Sequence, residues 1–186
     1  GQRLTANRTI ESFYKWSGGG RIPIFCDTTS CTHTLLFETG GDILTPENRE
    51  KYKQLKIMDI TQWLKEVVLP RIKVIRPKNR ILLHPTCSCQ IMGLTPVLLD
   101  IARKCAREVI LPDNWGCCGA SGDRGFIFPE LSDSATRDER DEIGHESFDG
   151  CYSLARTCEI AMQDHIEQPY ESIVYLVDET IQDQGT

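Results

Sequence analysis

Short apolar runs alternate along the chain with longer segments of helical periodicity. RIPIFCD (Arg21–Asp27) ends on a polar turn and predicts a short buried strand. In DITQWLKEVV (Asp59–Val68), Ile60, Trp63, Leu64, Val67 and Val68 recur at helical spacing. Asp59 or Thr61 can cap that helix, and Pro70 lies near its end. NRILLHP (Asn79–Pro85) predicts a second strand, stopped by Pro85. LTPVLLDIARKCARE (Leu94–Glu108) predicts a helix with Thr95 as N-cap and Pro96 in its first turn. Leu98, Ile101, Ala102 and Cys105 share one face of it. EVILP (Glu108–Pro112) is a third strand. PELSDSATRDERDEI (Pro129–Ile143) is helix-permissive, and its charges read as a solvated face. TCEIAMQDHIEQ (Thr157–Gln168) is a further helix stopped by Pro169. SIVYLV (Ser172–Val177) fits strand or helix by pattern alone.

This alternation predicts an α/β fold with a mostly parallel sheet flanked by helices. Ligands of such sheets sit beyond the carboxyl ends of the strands. Cys31, Cys87, Cys89, Cys117 and Cys118 all follow predicted strands. A faint internal repeat is also present. TSCTHTL (Thr29–Leu35) resembles RTCEIAM (Arg156–Met162), each with a cysteine where a helix should begin. DITQWLKEVV resembles ESIVYLVDET, which carries an aromatic–Leu pair at Tyr175–Leu176 to match Trp63–Leu64. The repeat tilts the segment from Ser172 towards helix. It predicts two related halves: residues 1–75 hold the end of an incomplete first copy and a connecting helix, and residues 76–186 hold a complete second copy.

The net charge of −6 argues against a nucleic-acid partner. No apolar run approaches the roughly 20 residues of a membrane span. The opening GQRLTANRTI has neither an initiator Met nor an apolar signal core, and reads as the start of an excised piece. Nine cysteines in 186 residues are too few for a disulfide scaffold, and their number is odd. Reduced thiols in a cytoplasmic setting, some used for metal or redox chemistry, fit better.

The cysteines group as Cys26 with Cys31, Cys87 with Cys89, Cys117 with Cys118, and Cys151 with Cys158; Cys105, on the apolar face of its helix, belongs to the core. Adjacent Cys117 and Cys118 cannot easily bond to each other. On a tight turn both sulfurs can face one centre, and Gly119, Gly122 and Gly125 behind them permit such a turn. The same glycines leave backbone N–H groups free for an anion, for which an iron–sulfur cluster or a phosphate qualifies. The Gly-x-x-Gly-x-x-Gly spacing is not a nucleotide fingerprint, which disfavours phosphate. Cys158 falls in the first turn of its helix, with Thr157 as a cap, where the helix dipole favours thiolate. His84 and His33, each near a cysteine, read as ligands or as satisfied polar residues.

HPTCSC, GCCGASGDRG and RTCEIAM, in that order, resemble the cysteine-rich CCG domain of heterodisulfide reductases and of the iron–sulfur subunits of glycolate and lactate oxidising enzymes. With PYESIVYLVDE, they are similar to the C-terminal domain of large FAD- and Fe–S-containing D-lactate dehydrogenase-like proteins, some of which oxidise D-2-hydroxyglutarate. The resemblance runs from about Pro23 to the C-terminus. It implies a two-copy CCG module that binds iron–sulfur clusters, of the 4Fe–4S type, or zinc. Cys87, Cys117, Cys118 and Cys158 map to ligands of the second copy, and Cys31 to the closing motif of the first. Gly119, Gly122 and Gly125 would line the cofactor. The family often closes with Cys-x-x-Cys, but here Leu154 and Ala155 precede Cys158, with Cys151 further upstream. Four ligands suit a cubane cluster or a zinc ion, and Cys89 could replace Cys87 or add to it. The resemblance also implies FAD and ferredoxin-like domains elsewhere on the same polypeptide, as partners of this one. Charge, apolar runs and reduced cysteines together lead to the expectation of no nucleic acid, no transmembrane segment, and a location that is cytoplasmic or peripheral to the inner membrane. The implied function is electron transfer within a flavin-dependent D-2-hydroxy acid dehydrogenase. Thiol–disulfide chemistry and a zinc-held docking domain are the alternatives, and catalysis by this domain alone is not expected.

Overall fold

Strands and helices alternate along the chain, as the apolar pattern requires. The computed structural model describes residues 1–182; 183–186, the last of the expected second copy, lie outside the described residues. The chain divides into two units, Gly1–Ile60 and Thr61–Thr186.

The first unit runs α1 (Gln2–Trp16), β1 (Ile24–Cys26), α2 (Thr29–His33), α3 (Pro46–Gln54) and β2 (Ile57–Asp59). A π-helical turn over Thr34–Glu38 extends α2. The Thr45 hydroxyl caps α3 by accepting from the Asn48 amide at 3.3 Å. The Asn48 side chain then ties α3 to α1, donating to Asn7 Oδ1 at 2.9 Å and Glu11 Oε1 at 3.1 Å. β1 and β2 pair in parallel, Ile24 with Ile57 and Cys26 with Asp59. The strand expected over Arg21–Asp27 is thus shorter and less buried: among the described residues β2 is its one neighbour, and Phe25 is 50% exposed. The pattern did not announce α1, whose one fully buried residue is Ile10.

The expected helix over Asp59–Val68 starts at the last residue of the first unit and forms as α4 (Ile60–Trp63), a π turn (Leu64–Val68) and a 3-10 turn (Leu69–Arg71) that takes in Pro70. Then come β3 (Lys73–Val74), β4 (Lys78–Leu83), α5 (Cys87–Ile91), α6 (Thr95–Cys105) and β5 (Ala106–Ile110). After a long loop follow α7 (Arg124–Ile127), α8 (Pro129–Ile143), β6 (Gly150–Ser153), α9 (Arg156–Ile166), β7 (Tyr170–Ser172), α10 (Ile173–Thr180) and β8 (Ile181–Gln182).

The main sheet has the order β5-β4-β6-β7, and every pair in it is parallel. Ile81, Leu82 and Leu83 are fully buried, so β4 is covered on both faces, as a central parallel strand must be. The fold is therefore α/β, with parallel strands flanked by helices. The short β3 and β8 pair antiparallel outside this sheet.

Several local expectations shift. Leu94, not Thr95, is the N-cap of α6, because the Thr95 hydroxyl faces Cys89 Sγ at 3.9 Å instead of the backbone. The helix ends at Cys105, and Ala106 and Arg107 join β5, where Ala106 pairs with Lys78. Ala155, not Thr157, is the N-cap of α9, which puts Thr157 inside the helix and Cys158 at its third residue. α9 stops at Glu167, whose φ of 58° is left-handed, before Pro169 is reached. The ambiguous segment after Ser172 is helix α10, with the Ser172 hydroxyl accepting from the Val174 amide. Both units carry a parallel strand pair with a cysteine-bearing helix after its first strand: α2 with Cys31 after β1, α9 with Cys158 after β6.

Leu98, Ile101, Ala102 and Cys105 form the buried face of α6, as its periodicity requires, each at 0% exposure. Leu98→Ala is expected to cost about 2–5 kcal/mol, read as a fall in the urea midpoint at unchanged slope.

Candidate metal centre

Parallel pairing places the carboxyl ends of β5, β4 and β6 along one edge of the sheet. The segments leaving that edge carry Cys87 at the start of α5 after β4, Cys117 and Cys118 in the loop after β5, and Cys158 in the first turn of α9 after β6. Their thiols form a row of neighbours. Cys87 and Cys117 influence each other electrostatically, as do Cys117 and Cys118. Cys118 Sγ lies 3.0 Å from Cys158 Sγ. Cys87 and Cys117 are exposed, whereas Cys118 and Cys158 are buried.

The backbone is arranged around these sulfurs. The Thr86 hydroxyl caps α5 by accepting from the Cys89 amide at 3.2 Å, which sets Cys87 at the first position of the helix. The Gly119 amide donates to Cys117 Sγ at 3.4 Å. The Ala120 backbone favours the thiolate of Cys118, and the Ser88 backbone that of Cys87. Peptide groups beside three of the four sulfurs thus favour negative charge there.

The three glycines have different duties. Gly119 has φ +74°, and a Cβ there would lie 2.6 Å from the Ser132 Cα and the Leu131 carbonyl oxygen. Gly122 also has positive φ but faces open space. Gly125 is helical, in α7, and its amide is taken by the Ala120 carbonyl at 2.9 Å. A Cβ on Gly125 would lie 2.5 Å from Ser132 Oγ and 2.8 Å from the Ala120 Cα. Gly119 and Gly125 therefore let the cysteine loop close onto the start of α8, and of the three amides, that of Gly119 is the one bonded to a sulfur.

Three of these thiols are raised above their ordinary range. For Cys117, the hydrogen bond with Cys118 and then burial push the thiol well above its ordinary range. For Cys118 the largest influence, the bond from Cys117, lowers the pKa, but Cys158 and burial outweigh it and the thiol is pushed up to about 12. Burial, then the Cys117 thiol, raises Cys87. A metal ion would reverse this by replacing the protons.

The donor set suits a thiolate-bound metal in kind and in connection. Four thiolates around a tetrahedral ion with M–S of about 2.3 Å stand about 3.8 Å apart. The 3.0 Å between Cys118 and Cys158 is shorter than that, and longer than the roughly 2.05 Å of a disulfide. Among the described residues, no three His, Cys, Asp or Glu side chains already surround one point at metal-ligand spacing. Seating an ion or cluster takes an outward movement of the buried pair.

The other candidates lie elsewhere. Cys89 is fully buried and faces Thr95, so Cys87 is the member of its pair that meets the thiol chain. Cys105 is core, and Cys151 packs with Leu82 and Tyr170. Cys31 belongs to the first unit, where it is exposed in α2 and contacts Cys26. Burial, then the charges of Cys26 and Asp27, raise its thiol. His33 is held by Glu38 at 3.3 Å and stacks on Phe37.

Sequence reasoning missed Glu139. Its neighbours in α8 are solvated as expected, but Glu139 is 1% exposed and its carboxylate meets His84 Nδ1 at 2.9 and 3.2 Å. The available signal was spacing: Ser132, Thr136, Glu139 and Ile143 recur as one helical face, and all four are buried.

No protein-family model matches the chain, and no curated protein is similar to it. Among the described residues no helix is long and apolar enough to cross a membrane.

Gly125→Ala is expected to cost about 1–3 kcal/mol in chemical denaturation, since its Cβ meets backbone as well as Ser132. A pH effect follows from the raised thiols. Cys118 and Cys151 hold their protons to about 12 when folded, against an ordinary 9.0. The unfolded chain releases those protons first, so the stability of metal-free protein should fall as pH rises from about 9 towards 12. The fall should be shallower in Cys151→Ala; identical urea midpoints against pH for the two proteins would contradict this.

Proposed function

We propose that the second unit is an iron–sulfur electron-transfer module, with Cys87, Cys117, Cys118 and Cys158 as the cluster ligands. One observation carries this reading: four thiols, carried by the segments after three strands, lie in a row at the carboxyl edge of a parallel sheet. The Gly119 amide on Cys117, and the peptide groups beside Cys87 and Cys118, favour a negatively charged thiolate centre. The resemblance of HPTCSC, GCCGASGDRG and RTCEIAM to CCG domains supports iron–sulfur over a bare metal ion, and 4Fe–4S as its type. It also supports a wider setting, a flavin-dependent D-2-hydroxy acid dehydrogenase such as one for D-lactate. There, FAD on another part of a longer polypeptide takes two electrons from substrate, and clusters, including those of a ferredoxin-like domain, pass them on singly. Cys31, with Cys26, would belong to a corresponding site of a first CCG copy. In this reading the unit conducts electrons and does not itself transform substrate.

Cys118 and Cys158 favour a second reading. Two sulfurs at 3.0 Å need little movement to form a disulfide, releasing two protons and two electrons to an oxidised disulfide substrate. The raised Cys118 thiol weighs against it, because the thiolate is the attacking form.

The deciding experiment is iron, sulfide and zinc content with an EPR spectrum, on anaerobically reconstituted protein and on a Cys117→Ser, Cys118→Ser variant. Iron with equimolar sulfide in the parent, reduced at least tenfold in the variant, is the expected result. Stoichiometric zinc would replace the electron-transfer reading with a zinc-held docking domain. A metal-free protein that reduces disulfides would favour the second reading.

A further inference from the structure

We infer that Cys118 and Cys158 close into a reversible disulfide, a redox-sensitive crosslink that decides whether the row of thiols is open to a metal. The crosslink stands on geometry; its effect on metal uptake rests on the ligand assignment above. All nine cysteines are free in this structure. Cys118 Sγ and Cys158 Sγ are 3.0 Å apart. A disulfide holds its sulfurs at about 2.05 Å, and one tetrahedral ion holds its thiolates about 3.8 Å apart. The observed spacing lies between the two, and closing the bond asks each sulfur to move by about half an ångström.

The surroundings hold both sulfurs in this position. Cys118 precedes Gly119, whose close approach to Leu131 and Ser132 seats the loop on α8. Cys158 is fixed in the first turn of α9. The two share one buried apolar cluster with Leu82, Ala120, Ala155 and Met162. A neutral disulfide suits such a layer, whereas charged thiolates there need a partner of opposite charge. Cys87 and Cys117 are exposed, so a bond between them would have no such enclosure.

The step balances with a peroxide as oxidant. One thiol attacks the O–O bond, giving a sulfenic acid and water. The other attacks that sulfur, the S–S bond forms, and a second water leaves. The two sulfurs lose two electrons to the peroxide, and their two protons leave in the water. The raised Cys118 thiol slows the first attack. The second attack is between sulfurs already side by side, and that proximity selects this pair. A dithiol returns two electrons and two protons and reopens the bond. Unlike the second reading above, no external disulfide is turned over, and the crosslinked protein is a resting state. The bond joins the loop after β5 to α9 across 40 positions and takes two of the four candidate ligands out of use.

The test uses the metal-free protein, first reduced and then exposed to hydrogen peroxide. Remaining thiols are blocked with N-ethylmaleimide, and links are mapped by tandem mass spectrometry. The expected result is the loss of two thiols, a Cys118–Cys158 link, a higher urea midpoint, and return of both thiols with dithiothreitol. The link should persist in Cys117→Ser and vanish in Cys158→Ser. It is read directly in the parent, so the test stands even if a variant does not fold. Oxidised protein should then take up at least tenfold less zinc, or iron with sulfide, than reduced protein. No link, or a link joining Cys87 to Cys117 or Cys118 to Cys151 instead, overturns the inference and leaves the ligand assignment intact. Equal metal uptake by oxidised and reduced protein overturns the gate and removes Cys118 and Cys158 from the ligands. Reduced protein that takes up neither metal overturns the ligand assignment and the gate together, whether or not the link forms.

Discussion

The candidate centre depends on the parallel pairing of β4 with β5 on one side and β6 on the other. Parallel strands send their outgoing loops from the same edge, so residues far apart in sequence are delivered to one place. Cys118 and Cys158 meet from 40 positions apart. An antiparallel neighbour would have sent one of those loops to the opposite edge. The buried run Ile81–Leu82–Leu83 holds this arrangement, because it suits only a strand covered on both faces.

The second constraint is the fit of the cysteine loop to α8. Gly119 and Gly125 give up their side chains to Leu131 and Ser132, and this closeness fixes where Cys117 and Cys118 sit. The same helix carries Glu139 two turns further along, against His84. One face of α8 thus supports the thiol loop at its start and a buried histidine at its middle. Both attachments use polar or small residues where an ordinary amphipathic helix would place Leu or Ile.

Much of this was legible in the sequence. The face of α6 followed from periodicity, and the helical form of α10 from its likeness to the Trp63–Leu64 segment. Adjacent cysteines before a glycine loop pointed to the centre, and the choice of Cys87 and Cys158 as their companions rested on family resemblance. Other features follow from tertiary contacts that no local pattern contains. Thr95 looked like a cap, but its hydroxyl is drawn to Cys89. Gly125 looked like a turn residue, but its need is for space beside Ser132. Glu139 looked like surface charge, because a buried carboxylate differs from its exposed neighbours only in what stands opposite.

The four thiols do not share one environment. Cys87 and Cys117 face solvent, while Cys118 and Cys158 lie in the apolar layer. An electrophile or dioxygen arriving from bulk water reaches the outer pair first, and any oxidised product there is hydrated at once. The inner pair is shielded by its partners as well as by the protein. Exposure and thiolate character thus act in opposite directions on the outer pair, which bulk reagents reach first but whose raised thiols react slowly.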